Sequence, residues 1–308
     1  MSSEYNNSIN SRILTSSPLT ATDSRNPWEL QIPIEDTGIS SGVSAIEFKG
    51  KLYVFYIKAG GHYPYTIGYA LLAINAEHTL VLESLNELPT KEVAQLRPCV
   101  TVYNDHLFCF FTATDQTLRY RVFTGTEWSP VDIVPQTLSA DAPSVVTHGE
   151  KIYLALQGTP QGVLYHKVFE NYSWGPNVPQ HNIRFNGSPS LCIYADTPHM
   201  AISGLDEHLY LLAFEENQWG LVSRSDQGNI YGAPSLHAWA KFIISATHIK
   251  DSNRYSTELM HQQTHTHDIY STLGAYRSPP CLTTYLHELY LIGQRSCGDL
   301  GISLFNPI

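Results

Sequence analysis

The chain is poor in charge, in cysteine and in long apolar runs, and each shortage removes a class of protein. Charged residues make up only 15% of the 308 positions, with 18 Lys and Arg against 28 Asp and Glu, for a formal net charge of −10. A surface that tracks phosphates needs clustered basic side chains, so no nucleic-acid partner is expected. No apolar run approaches the roughly 18 residues of a membrane-crossing helix, so no membrane span is expected. The opening Met1-Ser-Ser-Glu-Tyr-Asn-Asn has neither the basic nor the apolar segment of a secretory signal. The five cysteines, Cys99, Cys109, Cys192, Cys281 and Cys297, form an odd set without metal-type CxxC spacing. Four lie in apolar strand-like segments and read as small buried thiols. Cys297, in a polar turn, is the one to test for reactivity. Synthesis in a reducing cytosol is the simplest expectation, with export by a signal-less route as the alternative.

Aromatic residues are abundant instead, with 19 Tyr, 11 Phe and 5 Trp. Rings of this kind favour half-buried strands over solvated helices. They fall in an internal repeat. The segments Arg97-PCVTVYNDHLFCFF, Ala142-PSVVTHGEKIYLAL, Ser188-PSLCIYADTPHMAI, Ala233-PSLHAWAKFIISAT and Pro279-PCLTTYLHELYLIG share prolines at Pro98, Pro143, Pro189, Pro234 and Pro280, spaced by 45, 46, 45 and 46 residues. Each unit continues through a polar turn into a second strand, then through a turn carrying Asp115, Asp206 or Asp299 into a third. In three units that third strand places Phe123, Phe169 and Phe214 five residues before Trp128, Trp174 and Trp219. Four short strands per 45 residues, separated by Gly, Asn, Asp and Pro turns, predict the blades of a β-propeller.

The expected fold is therefore all-β: a six-bladed propeller of four-stranded blades, whose last blade is closed by an N-terminal strand around Trp28. Residues 1–20 are expected to form a flexible arm and 21–308 a single domain. The repeats are numbered 1 (38–90), 2 (91–137), 3 (138–182), 4 (183–228), 5 (229–277) and 6 (278–308 with 21–37). Closure is expected because an unpaired outer strand leaves N–H and C=O groups exposed.

The recurring aromatics allow two readings. Trp28, Trp128, Trp174 and Trp219 can be wedges between neighbouring blades, or a ring of platforms that stack on the C–H face of a sugar. Tyr120, Tyr165 and Tyr210 recur on the third strands and can pack, or offer a hydroxyl to a ligand at a blade junction. The unit resembles the repeats of propeller lectins, both the bacterial Photorhabdus type and the fungal fucose lectins of the Aleuria type. Leu164-Tyr165-His166-Lys167-Val168-Phe169…Trp174 is similar to the L-W-H-K-W-W-D-G-S-x-W line of the former, and Phe123-Thr-Gly-Thr-Glu-Trp128 to its D-G-S-x-W turn. The resemblance implies a glycan-binding propeller, a multivalent lectin with sugar sites at blade junctions and no cofactor. The Aleuria-type pocket needs a strand-three Glu, and Tyr stands at the positions matched to it here.

Two repeats break the pattern. Repeat 1 inserts Ala59-Gly-Gly-His62-Tyr63-Pro64-Tyr65 between strands two and three. Repeat 5 lacks the Phe–Trp pair and carries Arg254, Tyr255, Glu258, His261, His265, His267 and Asp268. Repeats 5, 6 and 1 are consecutive in a closed ring, so these irregular segments are expected to build one special surface. That arc supports two alternatives to a lectin: an enzyme or small-molecule binder with one pocket, or a scaffold for protein partners. His265 and His267 are the weak metal candidates. No catalytic residue is assigned, because no pair of acid and base groups is placed by the sequence.

Overall fold

In the computed structural model, residues 12–13, 26–60, 65–88, 90–91, 93–158, 162–225, 228–261 and 267–306 are described. All their regular elements are strands: 25 of them, in five antiparallel sheets, in a propeller-like arrangement. The first sheet runs from the axis outward as Ile39–Phe48, Lys51–Ala59, Tyr65–Ile74 and Leu80–Leu88, with the two residues Arg12–Ile13 on its rim. The second holds the four strands of Cys99–Leu138. The third has eight strands and contains repeats 3 and 4, joined through the 17-residue strand Val178–Tyr194. That strand is outermost in repeat 3 and innermost in repeat 4, and its pairing register shifts between Asn186 and Ser190. The fourth sheet is Ile230–Ser271. The fifth pairs Cys281–Tyr285, Glu288–Gln294 and Leu300–Phe305 with Ile32–Ile34.

The N-terminal segment thus completes the C-terminal sheet. Ile32 pairs with Ile302 and Ile34 with Leu300, and Trp28 bridges to Phe305. Arg12–Ile13 covers the opposite problem, pairing with Leu82 and Val81 along the outer edge of the first sheet. Two-residue hairpin turns connect the first two strands in several repeats. Asn104–Asp105, Ala195–Asp196 and Leu286–His287 all have positive φ at both positions, the geometry whose twist matches that of flanking strands.

The hydrophobic clusters lie between repeats, not within one. Val43, Val54 and Tyr56 of repeat 1 pack with Cys281, Tyr285 and Ile302 of repeat 6. Phe55 and Ile57 then pack with Cys109 and Phe111 of repeat 2, and Phe108 and Phe110 with Leu154 and Phe169 of repeat 3. The same relation continues through Leu164 with Ile202, Leu209 with Ile243, and Ile244 with Leu289. Alternation along the strands explains it: successive side chains of a half-sandwiched strand face opposite neighbours. The outermost strands, such as Asp132–Leu138 and Gln218–Arg224, are mostly exposed.

Near the axis, hydroxyls tie one repeat to the next. Ser144, Ser190 and Ser235, each following the repeat proline, accept the backbone N–H of Leu191, Leu236 and Leu282 at 3.0, 2.9 and 2.8 Å. Cys99 and Cys281 occupy the matching place in repeats 2 and 6. Burial pushes their thiols up to about 12 and about 11, with the Arg97 charge pulling the other way. Cys109 and Cys192 are also buried, whereas Cys297 is exposed. At the opposite end of the first strands, Tyr103, Tyr194 and Tyr285 donate to carbonyls of the next repeat's turn, at Glu150, Lys241 and Gly50.

A Ser190→Ala substitution leaves the buried Leu236 N–H without its acceptor, which is expected to cost about 1–3 kcal/mol. Urea unfolding followed by tryptophan fluorescence measures it. Unchanged stability would show that the hydroxyl is not what couples these repeats.

Candidate functional site

The repeated tryptophans are wedges. Trp28 is 1% exposed, meets Phe305 edge-on at 4.9 Å, and donates its indole N–H to Thr257 Oγ1 of repeat 5 at 2.8 Å. Trp128 packs on Phe55 and Tyr69 of repeat 1, and Trp174 on Phe110 and Tyr120 of repeat 2. Trp219 is 5% exposed within the cluster shared by repeats 3 and 4. A ring spent on the neighbouring repeat presents no open face for a sugar, so the platform reading is corrected for Trp28 and Trp219. The third-strand tyrosines are not one repeating set either. Tyr120 lies two residues after Leu118, whereas Tyr165 and Tyr210 lie one residue after Leu164 and Leu209. They therefore point to opposite neighbours. Tyr120 and Tyr165 enter one cluster from the two sides of the repeat 2–3 junction, while Tyr210 faces repeat 3.

The described ends of the two irregular segments lie apart. His62, Tyr63 and His265 lie outside the described residues. Tyr65 sits where strands two and three of repeat 1 meet, its hydroxyl donating to Gln95 Oε1 at 2.8 Å. His261 ends strand three of repeat 5 and His267 begins strand four, where they pair with Phe242 and Met260. The strand ends Ala59 and Tyr65 lie at one end of their sheet and His261 and His267 at the other end of theirs, because strand direction reverses at every hairpin. Tyr255 and Glu258 also part company. Tyr255 is buried against Tyr276 at 4.3 Å and donates to Ser278 O, while Glu258 accepts from Ser225 Oγ at the repeat 4 side. Arg254 is exposed on the intervening turn.

A cleft of about 610 Å³ opens instead between repeats 3 and 4. Its floor is apolar, made by Ile183, Ile202, Leu212 and Leu221, and its rim carries His181, Asn182, Arg184, Asp206 and Tyr210. Asp206 is the hub of the rim. It accepts the Tyr210 hydroxyl at 2.9 Å and an Arg224 guanidinium N–H at 3.3 Å, and lies 3.4 Å from His208 Nδ1. Slight desolvation works against its charge, but the donors from Tyr210, His208 and Arg224 prevail and hold the carboxyl below its usual range. Gly204 makes this possible, since a Cβ there would run into the Tyr210 ring and come within 2.5 Å of Asp206 Oδ1.

One side chain sets this junction apart from the one before it. Three residues after the strand-three leucine stand Arg121, Lys167 and Leu212 in repeats 2, 3 and 4. Lys167 reaches across its junction to Pro135 O and Thr137 Oγ1 and fills it. Leu212 is too short and too apolar to do the same. Sequence reasoning passed over His181, Asn182, Arg184 and the rim role of Asp206; the Arg–Lys–Leu series was the available signal.

The axis holds two further cavities. One is bounded by the first-strand residues from Val43 to Thr284, including His237, whose Nε2 lies 3.3 Å from Thr284 Oγ1. Burial pushes the His237 pKa down to about 4, and burial lowers His166 and His199 as well.

No protein-family model and no curated protein sequence matches the chain. Solved structures do. A protein of Arthrobotrys oligospora, AofleA, superposes with a TM-score of 0.69 at 11% identity, over 87% of this chain and 84% of that one. A point mutant of the Aleuria aurantia lectin, in complex with Fucα1-6GlcNAc, gives 0.66 at 12% identity, over 87% and 96%. A GH93 α-L-arabinofuranosidase of Fusarium graminearum, in complex with arabinobiose, gives 0.65 at 12% over 91% and 98%. At these identities the likeness establishes the propeller fold, one that a lectin and a glycosidase both use.

Trp28→Ala is expected to cost about 3–5 kcal/mol, the range for deleting a fully buried large ring, measurable by denaturant unfolding. A cost near zero would return the tryptophans to the surface. For the histidine, the unfolded ring titrates near 6.5 and the folded one near 4, so the unfolded state binds more protons between those values. Stability should fall as pH drops from about 6.5 to about 4 and level off below. His237→Asn should make that fall shallower in thermal unfolding; an unaltered profile would assign the slope elsewhere.

Proposed function

We propose that the chain is a single six-bladed propeller that binds glycans through the cleft between its third and fourth blades. The blade count takes the eight-stranded sheet as two four-stranded blades sharing Val178–Tyr194, with the two-residue strand Ser173–Trp174 beside them, and Arg12–Ile13, within the segment expected to be a free arm, joins the rim of the first sheet. The observation that carries the binding function is the composition of the cleft. A pyranose has one apolar C–H face and an edge of hydroxyls, and this cleft sets the exposed side chains of Leu205 and Leu221 beside Asp206, Asn182, Arg184 and His181. Its volume lies inside the range of roughly 300–1,000 Å³ common for small-ligand sites. Leu205 and Leu221 are 61% and 64% exposed, apolar surface that a bound sugar would cover. The fold shared with a lectin mutant in complex with Fucα1-6GlcNAc supports the same reading.

The burial of Trp28 and Trp219 argues for one principal site per chain rather than a site at each junction. The second reading is hydrolysis at the axis, as the glycosidase neighbour suggests. The described residues lining the axial cavities include one acid each, Glu47 and Asp141, at opposite ends, whereas glycoside hydrolysis uses a carboxyl pair flanking one bond.

A glycan array with α-fucosides and related deoxy sugars, followed by calorimetric titration of the hits, tests the proposal. The expected result is one site per chain, with Asp206→Ala weakening binding about 10–100-fold, the equivalent of a lost charged hydrogen bond. Leu212→Lys should refill the junction as Lys167 does and abolish binding. A broad array with no retained glycan, or a Leu212→Lys protein that binds like the parent, would sink the idea.

A further inference from the structure

The residue before the first-strand proline faces the axis, and it is small almost everywhere: Ala142, Ser188, Ala233 and Pro279, with Gly42 in the matching place of repeat 1. Arg97 is the exception. Its side chain borders both axial cavities, the one described above and a second of about 340 Å³ at the end where strands two and three meet. The guanidinium donates to Pro189 O at 3.4 Å and to Pro280 O at 3.5 Å, carbonyls of repeats 4 and 6. It therefore spans the ring as a partition between the two spaces. Gly42 makes room for it: a Cβ there would lie 3.3 Å from Arg97 Cδ.

Folding does not call for an arginine at this point, since four other repeats make the same turn with Ala, Ser or Pro. A guanidinium carries five N–H donors in a planar fork, and the two contacts it makes are long and go to neutral carbonyls. Among the described residues, no carboxylate lies within ion-pair distance of it. Arg277 lines the same 340 Å³ cavity and is exposed at its mouth. The cavity's acid, Asp141, is engaged in its own wall, with Oδ1 accepting from Ser188 Oγ at 2.8 Å and from Ala142 N–H at 2.7 Å. Two fixed positive charges thus converge on a concave space in a chain of net charge −10. A recess focuses such a field more than a flat surface does.

We propose that this axial cavity is a second binding site, distinct from the repeat 3–4 cleft, for a small oxyanion, a carboxylate or a phosphate. Arg97 closes its floor and offers the fork that such groups accept in bidentate fashion. Arg277 supplies the charge at the entrance. The proposal does not depend on glycan binding, and neither result decides the other.

The test is calorimetric titration of the full chain with malonate and, separately, inorganic phosphate, at low ionic strength and with sodium chloride as the control. Saturable one-to-one binding of at least one anion, with a Kd of about 1 mM or tighter, is expected, and the stronger of the two identifies the ligand source. Arg97→Met should weaken it at least about tenfold, and Arg277→Met by a smaller factor. If Arg97→Met does not fold, Arg97→Lys serves, keeping the charge but losing the fork. Absence of saturable binding of either anion in the parent overturns the proposal, as does a response matched by chloride or retained in the Arg97 variant.

Discussion

No repeat in this protein has a hydrophobic core of its own; each core is the space between one repeat and the next. Phe55 and Phe111 meet across one junction, Phe110 and Phe169 across another, and Tyr56 meets Ile302 where the last repeat returns to the first. A four-stranded sheet with two apolar faces is unstable unless both are covered. A ring satisfies every sheet at once, while an open row would leave two faces bare. The pairing of Ile32–Ile34 with Leu300–Ile302 follows from the same constraint, because it ties the two ends of the row into one sheet.

The junctions are built from a common kit and differ in one or two side chains. A serine hydroxyl near the axis, a tyrosine at the first-strand turn and a tryptophan wedge near the rim recur because each satisfies the neighbour's backbone or fills its gap. Where the kit varies, space or charge is left over. Leu212 in place of Arg121 or Lys167 leaves an amphipathic cleft, and Arg97 in place of Ala142 or Ser188 puts a guanidinium across the axis. Leu212 sits within a strand and Arg97 two residues before one, so each is anchored by the sheet beside it.

Much of this was legible beforehand and some was not, for physical reasons. The period of 45 to 46 residues, the strand alternation and the recurrence of Trp reflect burial, which a linear pattern records faithfully. Tyr120 recurs with Tyr165 and Tyr210 in the linear pattern but is offset by one residue, and in a strand one residue reverses the face. The expected surface over repeats 5, 6 and 1 came from adjacency in the ring. Adjacency says nothing about which end of a sheet a turn occupies, and Tyr65 and His261 fall at opposite ends.

The sequence by itself determined the repeat, the all-β character and the closing role of the segment around Trp28, since these depend on spacing and on which residues avoid water. Tertiary structure alone decided that the tryptophans are spent on neighbouring repeats and that Arg97 reaches Pro189 and Pro280. It also decided that His181, Arg184, Asp206 and Tyr210 share one rim. Each of these is a relation across a junction, between residues whose separation along the chain carries no trace of their distance in space.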